Sequence, residues 1–149
     1  MKPVITSQQM KDLDAKTISD FGIPSRVLME TAGKGCADLL LTLFNDDLAN
    51  GVVVLCGSGN NGGDGYVIAR WLDYYGYDVV IITAGKGKSS PETIANMDLC
   101  KKLQIEIIDI ADEDYEQHSE EVLLQSDVII DAVYGSGFKG VLNNRFQVF

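Results

Sequence analysis

The stretch Val52-Val53-Val54-Leu55-Cys56-Gly57-Ser58-Gly59-Asn60-Asn61-Gly62-Gly63-Asp64-Gly65 decides how this chain is read. Its first five residues are apolar and give a buried strand. Of the next nine, five are glycine. Tyr66, Val67, Ile68, Ala69, Trp71 and Leu72 then give a helix with one apolar side. A strand feeding a glycine loop and then a helix is an anion cradle. Glycine lets a ligand approach the backbone closely, and unpaired N–H groups at the helix start face negative charge. Asn60, Asn61 and Asp64 stand among the glycines. They are short polar side chains that tolerate unusual backbone angles and can bind a ligand or a metal ion. A tight turn with glycines for packing alone would leave the two asparagines and so many glycines unexplained.

Two standard nucleotide fingerprints fit poorly. Gly57, Gly59 and Gly62 spell G-x-G-x-x-G after a strand. The dinucleotide version also needs an acid about 20 residues on, at the end of the next strand, to hold a ribose. That strand is Val79 to Thr83, and Ala84, Gly85 and Lys86 follow it. Lys86 and Lys88 could meet a phosphate, although exposed lysines are usually only solvated. The phosphate-loop ATPase pattern fails as well, because no Lys-Ser/Thr pair follows the last glycine.

The chain of 149 residues is long enough for one domain with a real core. A hydrophobic content of 46% and a charged content of 23% are those of a globular domain. The net charge of -10 argues against a nucleic-acid partner, which needs a basic surface. Cys36, Cys56 and Cys100 are far apart, and without a C-x-x-C pair they suggest neither a zinc site nor a disulfide framework. Cys56 lies in the apolar strand and should be buried and inert. With no apolar signal core and no run of about 20 apolar residues, no membrane association is expected, and the expected compartment is cytoplasmic.

Outward from the central stretch, the pattern alternates. On the N-terminal side, Thr6 or Ser7 can cap a helix with Met10, Leu13, Thr17, Ile18 and Phe21 at helical spacing. Gly22 ends it and Pro24 opens a second helix reaching about Phe44. The apolar side of that helix reads as Val27, Leu28, Met29, Ala32, Cys36, Leu39, Leu40 and Leu43. Gly33 and Gly35 inside it point to close packing against another element. On the C-terminal side come the second strand, a helix from Pro91 to about Leu103 capped by Ser90, a third strand Ile105–Ile110, and a helix opened by Asp112, Glu113 and Asp114. That helix carries the single histidine, His118, read as a solvated surface residue. The fourth strand is Asp127–Val133.

Alternating strands and helices from residue 52 onward predict an α/β fold: a mainly parallel sheet with helices on both faces, preceded by two N-terminal helices. Right-handed crossovers set the C-terminal strand ends on one edge, where ligands bind at the reversal of strand order. With an order 3-2-1-4, the Asn60-Asn61 turn would face the second glycine turn, Tyr134-Gly135-Ser136-Gly137-Phe138-Lys139-Gly140. Asp131 interrupts the fourth strand just before that turn. A carboxylate there is costly unless it meets a metal, a hydrogen-bond donor or water. It could ligate a cation or move a proton, or it could cap backbone N–H groups of the Gly135 turn. Lys139 could neutralise a phosphate or be a plain surface lysine.

The segments Met10 to Asp14, Leu28-Met29-Glu30-Thr31-Ala32-Gly33, Gly57 to Gly65, and Asp131-Ala132-Val133-Tyr134-Gly135-Ser136-Gly137-Phe138-Lys139-Gly140 resemble the NAD(P)H-hydrate epimerases. This is the family of the YjeF N-terminal domain, which includes apolipoprotein A-I-binding protein. The resemblance covers nearly the whole chain, read as one domain over 1–149. It implies a Rossmann-like three-layer α/β/α fold and repair of hydrated NADH and NADPH by interconversion of R and S epimers, with an NAD(P)H-hydrate dehydratase as functional partner or fused domain, and a homodimer. By position, Asn60, Asn61, Gly62, Gly63 and Asp64 would contact the hydrated cofactor. Gly135, Ser136, Gly137, Phe138, Lys139, Gly140 and Val141 would contact it from the facing turn. Asn61 and Asp131 would help hold a potassium ion, and Asp131 is the candidate catalytic acid/base.

Family members continue past this point with another strand and a V-D-x-P-S-G element, whose aspartate contacts the ligand and whose serine completes the potassium site. This sequence stops at Phe149. The expectation is therefore a domain incomplete at its C-terminus, weakly active or inactive alone and prone to self-association. Two other functions stay open. One is a non-catalytic dimerising scaffold of the same fold, a domain type that also occurs in an mRNA-decapping scaffold. The other is a nicotinamide oxidoreductase, disfavoured by the missing ribose acid.

Overall fold

The computed structural model describes residues 4–44, 48, 50–84, 89–112 and 114–138. Its centre is β1 (Val52–Cys56), which pairs in parallel with β2 (Val79–Thr83) on one side and β4 (Val128–Ala132) on the other. Parallel pairing of β2 with β3 (Glu106–Asp109) completes a sheet of order β3-β2-β1-β4. A central parallel strand is covered on both faces, so it must be apolar throughout. On one face, Val52, Val54 and Cys56 pack with Ala37 of α2 (Ser25–Phe44), Ile68 and Leu72 of α3 (Asn60–Tyr74), and Cys100 of α4 (Pro91–Lys102). On the other, Val53, Ile82 and Ile108 pack with Val122 and Leu123 of α5 (Tyr115–Gln125). This is the three-layer arrangement that the alternating pattern predicts.

Local chemistry sets the helix starts. Before α1 (Ser7–Ser19), Thr6 Oγ1 accepts from the Gln9 N–H at 3.2 Å and Gln9 Oε1 accepts from the Thr6 N–H at 2.8 Å, a reciprocal capping box. Ser90 Oγ accepts from the Thr93 N–H, with Pro91 leading α4. Three helices are tied by one polar node. Glu30 on α2 accepts from Arg70 Nη2 and, at 2.7 Å, from Trp71 Nε1 on α3, while Arg70 also donates to Asn96 Oδ1 on α4 at 2.9 Å.

Three expectations about the helices need correction. First, α3 begins at Asn60, with Gly59 as its N-cap, so the residues read as loop up to Gly65 form its first turns. Each glycine there costs about 1 kcal/mol of helix propensity against alanine, and tertiary packing overrides it. A Cβ on Gly62 would overlap the Gly57 carbonyl, one on Gly63 would lie 2.6 Å from Met29 Cε, and one on Gly65 would lie 2.7 Å from Ala132 Cβ. These glycines let the helix start sit directly on the sheet and on α2. Second, the buried stripe of α2 is Met29, Gly33 and Ala37, one residue per turn, because α2 lies against α3. Val27, Leu39 and Leu43, expected on the apolar side, are exposed. Third, α1 buries no residue at all, so Met10, Leu13, Ile18 and Phe21 face outward despite their helical spacing.

The two α2 glycines give a paired test. A Cβ at Gly33 would lie 2.5 Å from Val67 Cβ, whereas at Gly35 nothing lies within 4 Å. We predict that Gly33→Ala destabilises by about 1–3 kcal/mol through overpacking. Gly35→Ala should stabilise by about 0.5–1 kcal/mol through helix propensity. Urea denaturation midpoints at constant slope would show the opposite signs; equal shifts would contradict the packing.

Candidate functional site

β1 and β4 are parallel neighbours, so the turns that leave them start side by side. Gly57 N donates to Ala132 O at 3.1 Å, and a Cβ at Gly57 would lie 2.9 Å from the Val133 carbonyl carbon. Only glycine lets the two turns touch in this way. The second turn closes on itself, with Phe138 N donating to Gly135 O at 3.1 Å. It also closes on the first, since a Cβ at Gly135 would lie 3.3 Å from Asn61 Cβ. The two glycine segments, far apart in sequence, thus meet at one cleft.

Two hollows open there, with Asn61 and Asp64 lining both. The smaller, of about 590 Å³, is polar in character. Ser58, Gly59 and Asn60 line it from the first turn, Gly135, Ser136, Gly137 and Phe138 from the second, and Lys11 and Asp14 from α1. Tyr134 and Phe138 form a ring pair at its wall, with centroids 4.0 Å apart and planes at 38°. The larger hollow, of about 950 Å³, lies between α2 and β4. Its walls are mostly apolar, including Cys36, Leu40 and Ile130, and Asp131 stands at its edge.

The expected site residues divide accordingly. Asn60, Asn61, Asp64, Gly135, Ser136, Gly137 and Phe138 line the smaller hollow, while Asn61 and Asp131 are both among the residues lining the larger one. Gly62 and Gly63 are buried behind α3's exposed side and line neither. Their lack of a side chain serves the fold. Lys139, Gly140 and Val141 lie outside the described residues, as do Lys86 and Lys88.

Asp131 escapes the cost expected of a carboxylate in an apolar strand. Among the described strands β4 is at the sheet edge, and Asp131 is exposed. Its Oδ1 accepts from the Val133 N–H at 2.9 Å, so it does fasten the start of the second turn. Water can meet the rest of its hydrogen-bonding capacity.

Lys11 and Asp14 are the residues that sequence reasoning left unassigned. They fall in a helix whose apolar spacing drew attention to its other face. The available signal was their i, i+3 separation, which puts both on one side of α1.

Asp64 is the electrostatic centre of the cleft. Burial, and secondly the negative charge of Asp14, push its carboxyl up to about 6. An acid whose native pKa exceeds its unfolded value binds more protons when folded, so it subtracts stability as pH rises from about 4 to about 6. We predict that Asp64→Asn is more stable than the parent above pH 6 and that this advantage disappears below about pH 4. Asp14→Asn should move the Asp64 titration, followed by carboxyl NMR, toward the ordinary range. An unchanged Asp64 titration in that variant would remove Asp14 as a cause.

Comparison with known proteins identifies the family and supports the fold. The NAD(P)H-hydrate epimerase of Lentilactobacillus buchneri is 38% identical over 147 residues, covering 98% of this chain and 64% of that protein. The bifunctional NAD(P)H-hydrate repair enzyme Nnr of Moorella thermoacetica is 34% identical over 143 residues, covering 92% of this chain and 26% of that protein. The chain thus spans less than two thirds of the length of these curated relatives. The crystal structure of yeast ynu0, YNL200c, superposes with a TM-score of 0.81 at 22% identity, covering 99% of this chain and 63% of that one, which supports the fold. A family model described as "YjeF-related protein N-terminus" matches residues 25–148. With that match over most of its length, this chain belongs to the YjeF-related N-terminal family.

Proposed function

We propose that this chain interconverts the R and S epimers of hydrated NADH and NADPH. What carries the proposal is the convergence of two glycine turns, with Gly135 packed against Asn61 and with Asp64 and Asp131 beside them. The names of the two bacterial relatives support the substrate class. The bifunctional relative also supports a dehydratase as partner or fused neighbour.

The chemistry suits these side chains. The hydrate is a carbinolamine, with a hydroxyl on the carbon next to the ring nitrogen. Protonation of that hydroxyl lets it leave as water, and the nitrogen lone pair forms an iminium cation. Water then adds to either face and returns its proton, which interconverts the epimers. A carboxyl group can donate and recover the proton and stabilise the cation between the two steps. We assign that role to Asp131. Asp64 is the nearest rival, because its carboxyl stays protonated closer to neutral pH. The pH–rate profiles of Asp131→Asn and Asp64→Asn separate the two: loss of rate at every pH marks the proton donor.

Potassium belongs to the same proposal. Asn61 and Asp131 offer a neutral and an anionic oxygen at one hollow, the hard donor set that an alkali cation prefers. Among the described residues no cluster of three or more His, Cys, Asp or Glu suggests a transition-metal site. Bound there, potassium would supply a fixed positive charge facing the substrate's oxygens.

Neither alternative function draws comparable support. The end of β2 is Thr83, followed by Ala84, without the ribose acid of a common dehydrogenase. A scaffold would not require Asn61, Asp64 and Asp131 to converge. A homodimer remains part of the proposal, and β4 leaves one backbone edge unpaired among the described strands. Light scattering that gives a monomer mass across micromolar concentrations would remove it. Among the described residues, no helix is long and apolar enough to cross a membrane.

The test is direct. The chain should accelerate equilibration of purified R-epimer hydrate above its spontaneous rate, read by chromatography. Asn61→Ala and Asp131→Ala should each lower that rate by roughly 100-fold. Replacing potassium by sodium should weaken turnover in the parent more than in Asn61→Ala. No acceleration and no hydrate binding would refute the proposal.

A further inference from the structure

The chain carries a net charge of -10, so its long-range field repels phosphate. A ligand with phosphate groups then depends on a local cation. Among the described residues lining the smaller hollow, Lys11 is the only lysine or arginine. It comes from α1, and its ammonium reaches across the mouth. Nζ lies 3.9 Å from the position that a Cβ on Gly137 would occupy, on the far turn. It makes no hydrogen bond or ion pair with another described residue. Among the described residues, the side chain therefore reaches across the cleft without a hydrogen-bond or ion-pair partner.

We infer that Lys11 is a substrate-binding residue that holds a phosphate of the dinucleotide in the smaller hollow. This rests on the hydrated-cofactor reading above. An ammonium acts on phosphate as a compact point charge with three donors, so it tolerates either of two sources. These are the pyrophosphate common to both cofactors and the 2′-phosphate of NADP alone. The same contact gives α1 a second attachment. No α1 residue is buried, so a ligand bridging Lys11 to the Gly137 turn would tie this helix to the sheet edge.

Calorimetric titration of the full chain with NAD+ and with NADP+ tests the assignment. Lys16, in the last turn of the same helix and absent from both hollows, is the control for loss of one positive charge. Lys11→Gln should weaken binding by roughly tenfold, the scale of one charged hydrogen bond. Lys11→Arg should restore most of it, and Lys16→Gln should change little. Equal weakening of both ligands assigns Lys11 to the pyrophosphate. Weakening of NADP+ alone assigns it to the 2′-phosphate. Identical affinities in Lys11→Gln and Lys16→Gln overturn the assignment, as does failure of the parent to bind either dinucleotide. Epimerisation by the parent with unchanged Lys11→Gln affinity rejects Lys11 alone. The Lys11 binding pattern without epimerisation rejects the catalytic reading alone.

Discussion

The contact on which the rest of this molecule depends is backbone against backbone: the first turn of α3 lies on the turn that leaves β1. Gly62 has no room for a Cβ beside the Gly57 carbonyl, and Gly57 has none beside Val133. Because both approaches are open to glycine alone, the helix start, the end of β1 and the end of β4 collapse into one unit. Gly65 extends the contact inward, onto Cys56 and Ala132. Moving any of these backbones by a methyl's width would separate the two turns and dissolve the cleft between them. The valine-rich strand and the apolar face of α3 then supply the burial that offsets the poor helix propensity of this segment.

Charge is arranged around that unit with some economy. Half-burial, and secondly the charge of Asp14, push the Asp64 carboxyl up to about 6, while Asp131 is exposed to water. Two acids at one cleft therefore live in different environments. Elsewhere the polar interior is architectural. The Tyr66 hydroxyl meets Thr83 Oγ1 at 2.8 Å behind the first turn, and Thr93 Oγ1 donates to Gly59 O at 3.2 Å from α4. Both fasten the glycine segment from the side away from the cleft. Cys56 is buried in the same region, and desolvation pushes its thiol well up.

Much of this was legible in the sequence. Apolar runs at Val52–Cys56, Val79–Thr83 and Val128–Ala132 located three strands closely, the alternation with helices gave the parallel sheet, and the order assumed for facing turns is the one observed. Thr6, Ser90 and Pro91 marked helix starts through local chemistry that needs no tertiary context. The start of α3 was not legible, because a glycine-rich segment has loop propensity and only its neighbours in space make it a helix. The buried stripe of α2 was hidden for a related reason. Leu39 and Leu43 look like core, yet the element that α2 touches is matched by Met29, Gly33 and Ala37. In the site, topology alone brought Asn61 and Asp131 to one sheet edge, where both line the larger hollow. The contribution of Lys11 and Asp14 depended on where α1 docks, which no periodicity encodes.

The packing at Gly57, Gly62 and Gly65 also changes how this sequence signature should be weighed. Those residues are demanded by the protein's own atoms, so a descendant that had abandoned catalysis would still be obliged to retain them. Their presence diagnoses ancestry and shape. Under the proposed function, it is Asn61, Asp64 and Asp131 that would carry information on whether the chemistry has been kept.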